Sequence, residues 1–358
     1  MTPRERVVAA LDHQQPDFTP CDYFATPEIH DALVRHFGVT EDHEIRACLG
    51  CDIRYIRPPY TGPPLPEFDD RSTMNIWGVR RRPMPNEYGE YAEPINFPYR
   101  DWKTVEEAEE FNWPSPEWYD YSAVPSLCDD FPDLAVAAGG FEVQDFINGI
   151  AFGRGVEEAL LDIALENPIY LHIVEQRHRF YLEHIARILE AGRGRIDLVL
   201  CGDDFGTQQS LLISPAAFEH LFAAKKREFF DMVHSYGAKV THHCCGSSRA
   251  LFPQFIACGM DALQTIQTRA AGMDPYGLKA DFGDQITLHG AVDVQGWLQE
   301  SSRQEIVDEV ERLMDEVGRD GGYILSPSHN IQPDVPLENV LAVYETVARR
   351  RGVRLGRP

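Results

Sequence analysis

Six consecutive residues, Thr241-His242-His243-Cys244-Cys245-Gly246, concentrate imidazoles and thiols where an apolar, β-branched segment gives way to glycine. That change marks a strand end passing into a loop. Residues two apart on extended chain face the same side, so His243 and Cys245 can reach one ion. Imidazole with thiolate is a preferred zinc pair. The alternative is that these side chains line a strand end without a metal. A third ligand has to come from another strand end, and His329, in Ser326-Pro327-Ser328-His329-Asn330, is the candidate. Three protein ligands leave zinc an open position for substrate or water.

Cys201-Gly202-Asp203-Asp204-Phe205-Gly206-Thr207-Gln208 ends another apolar segment. Alternation sends one of the two carboxylates toward the site and the other away. Asp203 and Asp204 are therefore catalytic candidates, to hold substrate, relay a proton or join the metal. Capping of a turn by one and solvation of the other is the competing account. Gly206 implies a sharp turn or a close approach to a ligand. Gln208, Gln267 and Asp293 are candidates for substrate contact, although Asp293 suits helix capping equally well. His289 lies inside a strand pattern and reads as core. Gly139-Gly140 reads as a turn. No Gly-x-x-x-x-Gly-Lys-Ser/Thr phosphate loop and no Gly-x-Ser-x-Gly elbow occurs.

The elements that must position these groups alternate. Short strands are expected at 18–24, 52–57, 134–139, 196–202, 238–243, 261–266, 286–291 and 322–327. The later ones are near-continuous apolar runs, as in parallel strands buried on both faces. Ser214-Pro215 starts a helix whose apolar stripe runs from Phe218 to Val233, with Gly237 ending it. Another is expected over 303–317, and a last one from Pro336. Eight strand–helix alternations without a Gly-x-Gly-x-x-Gly turn predict an α/β fold, a (β/α)8 TIM barrel, forming a single domain over 1–358. Residues from about 58 to 133 break the rhythm. They read as an insertion after strand two that covers the barrel mouth, with NIWGVRRRP and EYGEYAEPI pairing as a hairpin.

Lys and Arg number 33 against 57 Asp and Glu, a net charge of -24. This disfavours nucleic acid and anionic membranes as partners. Arg80-Arg81-Arg82 reads as a solvated loop, and Arg349-Arg350-Arg351 as a helix C-terminus. No apolar segment suits a secretion signal or a membrane span, and the eight cysteines are scattered. A cytoplasmic location with reduced thiols is expected.

The chain resembles the uroporphyrinogen decarboxylase superfamily over nearly its whole length. The resemblance rests on Thr2-Pro3-Arg4-Glu5-Arg6 with Gln15-Pro16-Asp17, Asp203 to Gln208, His243-x-Cys245-Gly246, Phe282-Gly283-Asp284, and Gly321-Gly322-Tyr323 with Pro336-x-Glu338-Asn339. It implies a (β/α)8 barrel. True decarboxylases carry an arginine-rich loop after the first strand. Here that region reads Tyr23-Phe24-Ala25-Thr26-Pro27-Glu28-Ile29-His30, without arginine. The sequence is more similar to the branch of zinc-dependent methyltransferases that work with corrinoid proteins. In that branch zinc is held by His-x-Cys and a later Cys, where this chain offers His329. One thiolate with two imidazoles leaves zinc more positive than two thiolates do, which suits an oxygen ligand and a methoxy substrate. The resemblance thus implies zinc and a partner-borne corrinoid (cobalamin), with a small methyl donor or acceptor. Separately from the resemblance, a homodimer is expected. Two other readings are a decarboxylase, with arginines at the barrel mouth and metal-independent turnover, and a non-catalytic barrel that binds a corrinoid protein.

Overall fold

The computed structural model describes residues 1–356. Seven parallel strands curl around a common axis: β1 (Ile53–Ile56), β5 (Ala135–Gly139), β6 (Leu198–Gly202), β7 (Lys239–His243), β8 (Ala262–Ile266), β9 (Thr287–Val292) and β10 (Tyr323–Pro327), adjacent in that order. The strands are largely buried on both faces because helices pack outside and side chains fill the inside. The segment expected as a first strand, 18–24, closes the circle without becoming regular. Leu325 N donates to Pro20 O and Asp22 N to Leu325 O, both at 2.9 Å, on the β10 side. On the β1 side Asp52 N donates to Cys21 O at 2.9 Å. The ladder stops there because Cys21 N turns to the Asp52 carboxylate at 2.8 Å instead of a carbonyl. An eighth stave is thus present, built from isolated bridges at Cys21 and Ala25. The fold is a mixed α/β, TIM-barrel-like one.

The first helix, Pro3–Leu11, plugs the N-terminal end of the barrel. Thr2 and Glu5 form a reciprocal capping box at its start, with Pro3 in the first turn. Val7 and Leu11 then bury against Ile53, Ala135, Ala137, Leu198, Ala262 and Ile324. Each such side chain stabilises the fold by roughly 2 kcal/mol. Asp52 fastens this end. It accepts from Arg6 at 2.7 Å and from Arg351 at 2.6 Å, and so ties the first helix to the chain beyond the last, Leu337–Arg350.

Three short strands follow β1: β2 (Thr73–Met74), β3 (Arg80–Pro85) and β4 (Glu90–Pro94), paired antiparallel. Arg80 and Arg82 both pair with Asp70. The three arginines read as a solvated loop are instead strand residues, and pleating turns Arg81 to the opposite face. The helix expected from Ser214 to Gly237 is two helices, Pro215–Leu221 and Ala223–Ser235. Phe222 leaves helical geometry between them, at φ -123°, and packs against Phe146 and Phe205.

No helix among the described residues is long and apolar enough to cross a membrane.

Candidate metal centre

Alternation along β7 sorts its two histidines. His242 points outward among Phe205, Phe230 and Phe255, and burial holds its imidazole well below the ordinary pKa, hence neutral. His243 points inward. Strand register sets it beside Gln264 of β8, and Gln264 beside His289 of β9, so three polar side chains occupy neighbouring inward positions. His243 Nδ1 hydrogen-bonds Gln264 Oε1. A carbonyl oxygen only accepts, so Nδ1 carries a proton, and in the neutral ring Nε2 is the nitrogen that offers a lone pair. Phe141 covers the ring at 4.5 Å between centroids.

Two residues on, the chain has turned into the loop that carries Cys245. Its Sγ lies 3.2 Å from His243 Nε2. Asp204, at the end of the neighbouring β6, completes a triangle. One Asp204 oxygen accepts from Cys245 N at 2.7 Å and lies 3.5 Å from His243 Nε2, and the other accepts from Asn148 Nδ2 at 2.8 Å. Donor atoms of Asp204, His243 and Cys245 lie within 4.8 Å of one another. The loops are interlocked. A Cβ on Gly206 would stand 2.7 Å from Cys245 O and 2.8 Å from Ser247 N. Gly206 is therefore spent on loop-to-loop contact and not on a ligand.

His329 lies outside that triangle but lines the same cavity, of about 320 Å³. Burial, and then the His243 ring, lower its pKa, so the imidazole is neutral. Burial, and then the Asp204 charge, hold the Cys245 thiol well above its ordinary range. A thiol, a carboxylate and one imidazole within 4.8 Å of one another, with a second imidazole lining the same cavity, match a borderline-soft divalent cation, and the Gln264 carbonyl on the far ring nitrogen of His243 supplies the orienting contact such ligands need.

The two aspartates have different surroundings. Asp203 is a buried residue of the cavity wall, and its oxygens accept from Phe146 N at 3.0 Å and Ile147 N at 2.8 Å. Burial pushes its carboxyl well above the ordinary range, opposed by Lys226 at 3.6 Å. Asp204 is the one that faces the cluster. Gln208, Gln267 and Asp293 do not line the cavity. Gln267 Oε1 holds Gly246 N at 2.7 Å and meets Gln208 Nε2 at 3.3 Å. Asp293 pairs with Arg269 at 2.7 Å and receives Gln295 N, a local cap. His289 is core, 3.4 Å from Asp22.

Sequence reasoning missed several residues around the cavity. Phe141 follows the Gly139-Gly140 turn at a strand C-terminus, where the barrel rule would have directed attention. Arg177, inside the helix Pro168–Gly192, gave no signal in the sequence. The three-stranded segment brings Asn75, Trp77, Arg81 and Tyr91 to the same cavity.

The family model described as uroporphyrinogen decarboxylase (URO-D) matches residues 158–350, more than half of the chain. No curated protein matches. Among solved structures, a methyltransferase from Methanosarcina mazei is similar over 98% of this chain and 99% of its own, with a TM-score of 0.67 and 16% identity. A D-psicose 3-epimerase from Clostridium cellulolyticum H10 is similar over 71% of this chain and 96% of its own, at a TM-score of 0.40 and 12% identity. At such identities the likeness concerns the fold.

Proposed function

The chain belongs to the uroporphyrinogen decarboxylase family, and on that premise we propose that it is a zinc-dependent methyltransferase, moving a methyl group between a small methoxylated or thiol substrate and a corrinoid carried by a partner protein. The observation that carries this reading is the convergence of Asp204, His243 and Cys245 on one point at the cavity wall. His243 and Cys245 hold the metal, and His329 and Asp204 are the further donors within reach of the site. Bound there, zinc supplies Lewis acidity that polarises a methoxy oxygen or activates a thiol. Gln264 fixes the His243 ring, and Cys245 N with Asn148 fixes Asp204. An oxygen that gives up its methyl needs a proton, and whichever of Asp204 and His329 does not hold the metal is the group to relay it. From the segment 58–133, Asn75, Trp77, Arg81 and Tyr91 line the cavity, which supports a covering role for it.

Elemental analysis of the purified protein and of His243→Ala tests the reading, together with methyl transfer from methoxylated compounds to a reduced corrinoid protein. The expected result is about one zinc per chain in the wild type, with a loss of zinc and of about 10²-fold or more in transfer in the variant. Unchanged zinc and unchanged turnover in His243→Ala would sink it.

One observation favours a second reading, a decarboxylase acting on a small acid: two arginines, Arg81 and Arg177, line the cavity. That enzyme would turn over unimpaired after chelation.

A further inference from the structure

Arg177 is buried to 1% exposure, and its cation is only partly used. Its Nε donates to Asp145 O at 3.0 Å, and the guanidinium lies 4.3 Å over the Trp77 ring. Nη1 has no partner. Gly149 borders the same guanidinium, and a Cβ there would collide with Nη2. Arg81 approaches from the three-stranded segment. Its guanidinium lies 4.0 Å over Phe152, and its buried Nε has no partner. Arg80 and Arg82 both pair with Asp70, whereas Arg81 has no acidic partner among the described residues. A buried, unpaired guanidinium donor is costly, and two in one cavity point to an acceptor that arrives with a ligand.

The charges that face the pair define that acceptor. Asp145 lies beside Arg177, with one oxygen unpartnered. Glu142 is engaged by Arg57 at 3.4 Å. Asp204 faces the metal cluster, and Asp203 is set against Lys226 at 3.6 Å. With Asp145 set against Arg177, one positive charge remains, that of Arg81. We propose that Arg177 and Arg81 form a subsite for the carboxylate of the substrate, which holds a small aromatic acid by the end remote from the His243–Cys245 cluster.

Planar guanidinium forks match carboxylates in geometry as well as charge. Phe141, Phe152, Trp77 and Tyr91 supply aromatic walls, and a cavity of about 320 Å³ suits a single substituted ring. The inference rests on the methyltransferase reading for its choice of a methoxylated acid, but the carboxylate is a handle that the reaction leaves intact.

Calorimetric titration of the purified protein with 4-methoxybenzoate, benzoate and anisole tests it without requiring turnover. Both acids are expected to bind about tenfold or more tightly than anisole, which lacks the charge. Arg81→Gln, on an accessible strand, should abolish that preference with an unchanged melting temperature. Arg177→Lys, which keeps the charge but not the fork, should weaken both acids alike. His243→Ala should still bind benzoate with the same preference, and in the wild type an intact preference with no methyl transfer defeats the functional reading alone. Equal affinity for anisole and the two acids overturns the subsite. So does a preference that survives Arg81→Gln, or release of carbon dioxide from either acid.

Discussion

The fate of a side chain here depends on its neighbours more than on its type. His242 and His243 are adjacent, yet one is a neutral core ring and the other faces the cavity, because a strand alternates. Asp203 and Asp204, just beyond β6, both border the cavity, but Asp203 is tied to the backbone of Phe146 and Ile147 whereas Asp204 meets the His243–Cys245 cluster. The sequence singled out His243 by its spacing to Cys245, and it offered Asp203 and Asp204 as a pair of which one faces the site. Which aspartate that is depends on how the loops after β6 and β7 meet, which a single sequence does not record. His184 gives a measurable case of environment ruling type. It is enclosed by Tyr119, Phe180 and Tyr121, with Tyr121 Oη 2.8 Å from Nδ1, and burial lowers its pKa from 6.5 to about 4. The unfolded chain binds this proton below pH 6.5 and the folded one only below about 4. Stability is therefore lost as pH falls from 6.5 toward 4, by up to about 3 kcal/mol from this group. Denaturant titrations at pH 7 and pH 4.5 should show a smaller pH-dependent loss for His184→Phe than for the wild type. An equal loss would mean that the ring protonates in place.

Loops at the strand ends do the positioning at the next scale. Asp204 and Cys245 sit on separate loops, after β6 and β7, which meet through glycine: Gly206 against Cys245 O, and Gly246, at φ +77°, against Thr207 O. Gly206→Ala has no room for its methyl and must push the Cys245 loop outward. The expected cost is roughly 1–3 kcal/mol in unfolding free energy, with weaker zinc retention against a chelator. A variant with wild-type metal affinity would show that the loops move independently. Strand positions were legible because buried parallel strands are apolar runs. The break at Phe222 was not, since its cause is a tertiary contact with Phe146 and Phe205 rather than a proline or glycine. Arg177 was hidden for a similar reason. An arginine in a long helix looks like a solvated residue until Trp77, from a distant segment, is laid against it.

The molecule as a whole is a ring of staves, and its repeating pattern of strand and helix was the most legible feature of all. Its closure was less so, because the stave from Pro20 to Ala25 is held by few backbone bonds and by the Asp52 carboxylate. Replacing Asp52 with alanine leaves Arg6 and Arg351 without their common acceptor and Cys21 N without a partner. A loss of about 3–5 kcal/mol is expected, read as a lower melting temperature in one cooperative transition. Two separated transitions would show instead that the halves of the ring melt separately. A circle latched by one carboxylate has no free tip from which to unravel. Thermal opening begins at this seam, on the floor opposite the chemistry, so the amides of Cys21 and Asp52 should exchange with solvent before those of the metal-side loops.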